Sequence, residues 1–323
     1  MLASDGLVST VGRLLALKRN LTLSRLPAPE LAVLAEHARD RVLPKGSVLL
    51  REGERIESVF FVVEGRVHLT LRGRTLGDAS PGAAVGGIAF YARDVAGLGA
   101  VAETDVLALE LDADTLVEIF EDHFAILLHM LRETCRELVS AVRLVPAELA
   151  KRLPSGDVSD SPAELDLVER LFLLRRTPAF RCSSISALAE VARGLAETHF
   201  DPGVELWREG ERASGVMLLV SGRVACTSGG TSFDIGAGSV LGALESIADE
   251  PRFYTAVTVT KVIALQGNIE NLIDVFEDNF EMAMDYLAVM SRWLLDLLDR
   301  FASGDLERLY GCDSLPGVES HED

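Results

Sequence analysis

A close internal repeat constrains this chain more than any other feature. Leu50-Arg51-Glu52-Gly53-Glu54-Arg55 returns 157 residues later as Trp207-Arg208-Glu209-Gly210-Glu211-Arg212. At the same offset Val63-Glu64-Gly65-Arg66-Val67 returns as Val220-Ser221-Gly222-Arg223-Val224. Ile119-Phe120-Glu121-Asp122-His123-Phe124 returns as Val275-Phe276-Glu277-Asp278-Asn279-Phe280, now 156 residues on, so one residue is lost between the blocks. Five glycines keep step: Gly46/Gly203, Gly53/Gly210, Gly65/Gly222, Gly82/Gly238 and Gly86/Gly242. Self-similarity of this kind means one structural unit used twice. The expected domains are 1–150, a linker at 151–165, a second copy at 166–303, and an acidic, mobile tail at 304–323.

Each copy reads alike. A helical start (Leu31, Leu34 and Ala35; then Leu188, Val191 and Ala192) precedes short segments whose apolar residues alternate, as in Val59-Phe60-Phe61-Val62-Val63 and Val67-His68-Leu69-Thr70-Leu71. Alternation with glycine at the breaks predicts short strands joined by tight turns. After Leu111 the period changes: Leu116, Ile119, Phe120, Phe124, Leu127, Leu131, Leu138 and Val142 follow helical spacing. This predicts one long amphipathic helix, with a twin running from Leu272 to Leu298. Glu121-Asp122 and Glu277-Asp278 are read as structural acids beside that helix. Leu153–Pro162 has linker composition.

Composition excludes several classes. No apolar run reaches the ~18–20 residues of a membrane span, and Met1-Leu2-Ala3-Ser4-Asp5 lacks the basic start of a signal peptide. Cys135, Cys182, Cys226 and Cys312 lie far apart, so they read as reduced thiols of a cytoplasmic protein. The net charge is −19. Residues 1–155 carry 18 Lys+Arg against 21 Asp+Glu, and residues 156–323 carry 13 against 29. Nucleic-acid binding needs cations against phosphates, so none is expected. The six histidines show no metal-ligand spacing and no nucleophile motif is present, so no enzyme and no metal site are expected.

The run of strands and regularly placed glycines followed by a long helix resembles the cyclic-nucleotide-binding domain. The residues carrying the resemblance are Pro44-Lys45-Gly46, Arg51-Glu52-Gly53 and Phe60 to Val67, and in the second copy Pro202-Gly203, Glu209-Gly210 and Val220 to Val224. Pro81-Gly82 and Ala237-Gly238 match the turn before the family's ligand cassette. The resemblance covers residues 20–145 and 170–300. It implies a mainly β fold with flanking helices (α+β): two tandem double-stranded β-helix or jelly-roll domains, each followed by a long helix.

The family's cassette reads Phe-Gly-Glu-Leu-Ala-Leu, then Pro-Arg-Ala-Ala-Thr-Val. A short helix aims free N–H groups at the cyclic phosphate, an arginine pairs with it, and a glutamate accepts from the ribose hydroxyl. In the first copy the site positions are Gly86, Gly87, Ile88 and Ala89. Gly87 stands for the glutamate and Ala96 for the arginine, with Arg93 nearby. In the second copy they are Gly242, Ala243, Leu244 and Glu245. Ala243 stands for the glutamate, Glu245 comes two places late, and Arg252 and Thr255 fall in register. The first site is expected to be degenerate, and the second weak or altered.

The leading reading is a non-enzymatic regulatory or scaffold protein acting through protein–protein contacts. Tyr286, Met290, Trp293 and Leu297 are the anchor-type residues of the second long helix, which suit a protein partner or a homodimer. The alternative is a sensor holding cAMP or cGMP as effector in the second domain through Arg252. A transcription regulator is a third reading, for which no helix-turn-helix segment is seen after Ser303.

Overall fold

The computed structural model describes residues 9–93, 97–144, 165–301 and 318–319. Asp94, Ala96, the 153–162 linker stretch, Cys312 and nearly all of the tail lie outside the described residues. Two compact units are present, residues 1–130 with 291–323 and residues 131–290. Their boundaries fall inside the long helices and not in the linker.

In the first unit, helices α1 (Thr10–Leu17), α2 (Leu21–Ser24) and α3 (Ala28–His37) lead into the roll. Asn20 caps α2 by accepting the Leu23 N–H and donates to Gly82 O, which ties the leading helices to the turn before the cassette. One antiparallel sheet runs β1 (Arg39–Leu43), β8 (Val106–Asp112), β3 (Ser58–Glu64), β6 (Ala84–Val85). The other runs β5 (Arg74–Ala79), β4 (Val67–Leu71), β7 (Leu98–Ala102), β2 (Val48–Leu50), with Val318–Glu319 beside β5. The cassette helix α4 (Gly87–Ala92) lies between β6 and β7, and α5 (Ala113–Asp122) and α6 (Phe124–Leu144) follow.

In the second half of the chain, α7 (Leu167–Arg176), a short turn at Pro178–Phe180 and α8 (Ile185–Arg193) precede the same strand orders. These are β9 (Ala196–Phe200), β16 (Val262–Asn268), β11 (Gly215–Ser221), β14 (Val240–Leu241), and β13 (Thr231–Gly236), β12 (Arg223–Ser228), β15 (Thr255–Thr258), β10 (Glu205–Trp207). Helices α9 (Ala243–Ala248), α10 (Ile269–Asp278) and α11 (Phe280–Phe301) complete the copy. The expected α+β pair of jelly rolls with following helices is what the chain forms.

The repeat extends to irregularities. Pairing of β3 with β8 skips Val63, and pairing of β11 with β16 skips Val220, so a bulge recurs at equivalent positions. Gly65 and Gly222 follow, both at φ +88°, where a Cβ would run into the carbonyl oxygens of Asp105 and Lys261. Only glycine meets both demands.

The single long helix expected after each roll is instead two helices. His123 and Asn279 leave the helical basin at φ −131° and −133°, which splits α5 from α6 and α10 from α11. Asn279 turns its side chain back to Val275 O and to Glu190, stabilising the break. Glu121-Asp122 and Glu277-Asp278 thus close the shorter helices. Asp112 and Asn268 cap the starts of α5 and α10.

Candidate ligand cassettes

In the second copy, β14 delivers the chain to Gly242, whose φ of +76° starts α9. A Cβ there would strike the Arg252 guanidinium and Gly215 O, so the glycine lets the arginine approach. The Arg252 backbone is clamped on the preceding turn: its N–H donates to Glu211 O at 2.8 Å, and its carbonyl accepts the Gly210 N–H at 2.8 Å.

The Arg252 side chain is 6% exposed, and both of its terminal nitrogens donate to backbone carbonyls. Nη1 donates to Gly242 O at 2.9 Å and Nη2 to Gly215 O at 2.8 Å. The guanidinium carbon lies 4.3 Å from the centre of the Trp207 ring, a stacked cation–π arrangement. Glu245 Oε1 stands 3.5 Å from Nη1, on a side chain only 2% exposed. The sequence count puts Glu245 on another side of the helix, but α9 is buried along its whole length and Glu245 faces the arginine. Loss of hydration pushes the Glu245 carboxyl above the usual carboxylate range, with Arg252 opposing that shift.

The residues after Arg252 are bulky and buried. Where the family pattern has two alanines, this chain has Phe253 and Tyr254, 1% and 2% exposed. The Tyr254 hydroxyl accepts the Gly242 N–H at 3.3 Å, taking an amide at the start of the cassette helix. Its ring meets Trp207, Phe233 and Phe253 with centres 5.6, 6.1 and 4.7 Å away. Burial raises its phenol pKa well above the ordinary value, with the nearby Glu245 carboxylate adding to the shift. Thr255 Oγ1 accepts the Glu209 N–H at 3.0 Å. Ala243 and Leu244 are buried and apolar.

The far end of α9 is held by α6. Arg136 Nη2 donates to Ala248 O at 2.8 Å, Nε meets Glu250 at 3.0 Å, and Nη1 pairs with Glu133 on the same helix. In the other unit Arg292, 156 residues on, donates from Nη1 to Ala92 O at 3.4 Å, the equivalent carbonyl of α4. This repeated contact places the later turns of each long helix with the other copy's cassette, and it explains the unit boundaries.

The first cassette is apolar. Gly86, at φ +96°, starts α4, and Gly87 looks toward Tyr91 and Val59. Ile88 is half-buried and Ala89 buried. Arg93 is an exposed left-handed residue closing α4, and the arginine position, Ala96, lies outside the described residues. Leu50 takes the place of Trp207 and packs beside Gly86.

The proposed anchors of the second long helix are largely consumed inside the chain. The Tyr286 ring packs at a tilt against Phe180 and Phe276, and Tyr286, Met290 and Leu297 are 5%, 7% and 1% exposed. Trp293 is half-buried. Trp207, Phe253, Tyr254, Arg136 and Arg292 carry no functional assignment from the sequence. The Phe-Tyr replacement of two alanines and the matched arginine pair were the available signals. Among the described residues there is no group of His, Cys, Asp and Glu able to hold a metal, and no helix long and apolar enough to cross a membrane.

The family profile described as the cyclic nucleotide-binding domain matches residues 40–123 and 197–279. The chain is 21% identical over 259 residues to a cAMP-dependent protein kinase regulatory subunit of Eremothecium gossypii, 80% of this chain and 47% of that protein. It is 29% identical over 100 residues to a cyclic nucleotide-gated potassium channel of Rhizobium etli, 31% of this chain and 28% of the channel. The chain thus spans less than half the length of either curated relative. The solved regulatory subunit of a cAMP-independent protein kinase A from Trypanosoma brucei is similar at 17% identity, covering 96% of this chain and 93% of that one, with a TM-score of 0.32. With two matched segments that together make up just over half of its length, this chain belongs to the cyclic nucleotide-binding domain family.

Proposed function

We propose that this chain is a non-enzymatic regulatory protein of the cytoplasm that acts by binding other proteins, with neither cassette built to take cAMP or cGMP in the usual way. The observation carrying this reading is the state of Arg252. Its charge is met by Glu245, its donors by two backbone carbonyls and its face by Trp207, while Tyr254 holds the Gly242 N–H. A cyclic phosphate entering the second cassette has to displace a buried carboxylate and a buried phenol. Each hydrogen bond to a charged group contributes about 1.5–3 kcal/mol, so the exchange offsets most of what the phosphate gains. In the first cassette Gly87 supplies no side-chain acceptor for a ribose hydroxyl.

The second reading, a sensor holding cAMP or cGMP in the second domain, is favoured by Arg252 and Thr255 being in register with the cassette pattern. Calorimetric titration of the purified protein with cAMP and with cGMP separates the two, repeated on Arg252→Ala after its folding is checked by circular dichroism. The regulatory reading expects no heat from either nucleotide. Micromolar binding that disappears in the variant makes the chain a one-site sensor.

A further inference from the structure

The leading helices of the two copies carry the same outward-facing stripe. On α1, Val11 and Leu15 are 67% and 59% exposed. At the repeat offset of 157, Val168 and Phe172 on α7 are 56% and 67% exposed. Residues four apart share one helix face, so each pair forms a short apolar ridge. One turn further along that face come basic residues, Lys18 and Arg19 after α1, and Arg175 and Arg176 at the end of α7. Lys18, Arg19 and Arg176 are exposed.

Single exposed apolar residues are ordinary, but a ridge kept at both positions of a diverged repeat is not explained by internal packing. The inner faces of the same helices already do that work, through buried Leu17 and Leu174. The charge around the ridges is equally distinctive. Between Asp5 and Glu30 the sequence has four basic residues and no acid, in a chain of net charge −19. Of those four, Arg13 is paired with Asp40. From Leu167 to Ala189 there are four arginines against Glu169 alone, and Glu169 is taken up by the α7 capping box with Asp166 at the opposite end of the helix. Arg170 is directed inward to Leu165 O and Leu195 O, so it does not contribute to the outer face.

We infer that these two stripes are a duplicated docking surface for acidic amphipathic segments of a partner protein, with apolar side chains seated on the Val–Leu and Val–Phe ridges and carboxylates over the basic ends. Charge complementarity selects this occupant. A basic segment is repelled by the cations bordering each ridge, whereas an acidic one is drawn to them. The inference does not depend on the cassettes, so its test and the nucleotide titration fail separately.

Fluorescence anisotropy of the full chain with a labelled synthetic helix, leucines on one face and glutamates flanking them, tests it. Saturable binding that weakens with added salt is expected, together with about ten- to a hundredfold loss in the Leu15→Asp, Phe172→Asp double variant. Both side chains are exposed, so the variant keeps its fold, which the melting curve checks. The charge-reversed variant Lys18→Glu, Arg176→Glu should lose the glutamate helix and gain a lysine-flanked one. The inference is overturned by equal binding of both helices to the parent protein, by indifference to the variants, or by no binding. Binding to phosphatidylserine vesicles in place of the peptide, or self-association abolished by the Asp substitutions, overturns it equally by naming another occupant.

Discussion

Arg252 and Glu245, seven residues apart, bury a guanidinium and a carboxylate 3.5 Å from one another inside the second cassette. The carboxylate stands beside the arginine that the family pattern reserves for a ligand's phosphate. Removing one partner of a buried pair strands the other charge, at a cost of about 3–5 kcal/mol. Arg252→Ala is expected to destabilise the second copy by that amount in urea denaturation. Glu245→Gln keeps the shape and leaves Arg252 its two carbonyls, so it should cost under about 1.5 kcal/mol. Equal losses in the two variants would show that the charge pair, and not the two carbonyl bonds, holds Arg252 in place.

The two cassette-capping arginines should differ in weight. Arg136 joins Ala248 O, Glu250 and Glu133, whereas Arg292 reaches Ala92 O at the longer 3.4 Å. Arg136→Met retains the aliphatic stem and is expected to cost about 2 kcal/mol, and Arg292→Met less than about 1 kcal/mol. Hydrogen exchange of the amides in α9 should rise in the first variant and stay level in the second.

Glu137 provides a pH signature. Its half-buried carboxyl is pushed up to about 7, by loss of hydration first and by Glu133 second. A carboxyl whose folded value exceeds its unfolded value of ~4.3 contributes stability in full below ~4.3 and loses it as pH rises through the folded value. Glu137→Gln should therefore flatten the stability profile between pH 4 and pH 7. Above that window the variant should be the more stable protein, by about 1–2 kcal/mol, in thermal melts across the pH series.

Glycine substitutions should separate by surroundings and not by backbone angle. Gly210 and Gly222 share φ +88°, yet a Cβ on Gly210 meets nothing while one on Gly222 meets the Lys261 carbonyl. Gly222→Ala is expected to cost about 3 kcal/mol or more, since backbone cannot move aside, and Gly210→Asn less than about 1 kcal/mol. Urea midpoints of the two variants check this directly.

Much of the architecture is readable from local pattern. Alternation in Val59–Val63 and Val67–Leu71 marks strands because side chains on a pleated chain point to opposite faces, and those segments lie within β3 and β4. The offset of 157 carries strand order, bulge and turn from one copy to the other, since equivalent residues meet equivalent surroundings. The break at His123 was invisible because helical spacing continues across it: one residue outside the helical basin barely disturbs the apolar period.

The cassettes divide the same way. The sequence alone was enough to establish a doubled roll, to locate both cassettes, and to reveal that neither has a glutamate at its usual place. All of these are properties of neighbouring residues and their spacing. That Glu245 turns inward to Arg252, that Tyr254 takes the Gly242 N–H, and that Arg136 and Arg292 cap the ends of the cassette helices was decided only in three dimensions. These contacts join residues seven to two hundred positions apart. They depend on the direction in which each helix is aimed and on the burial that makes an unpaired charge costly, neither of which a linear pattern records.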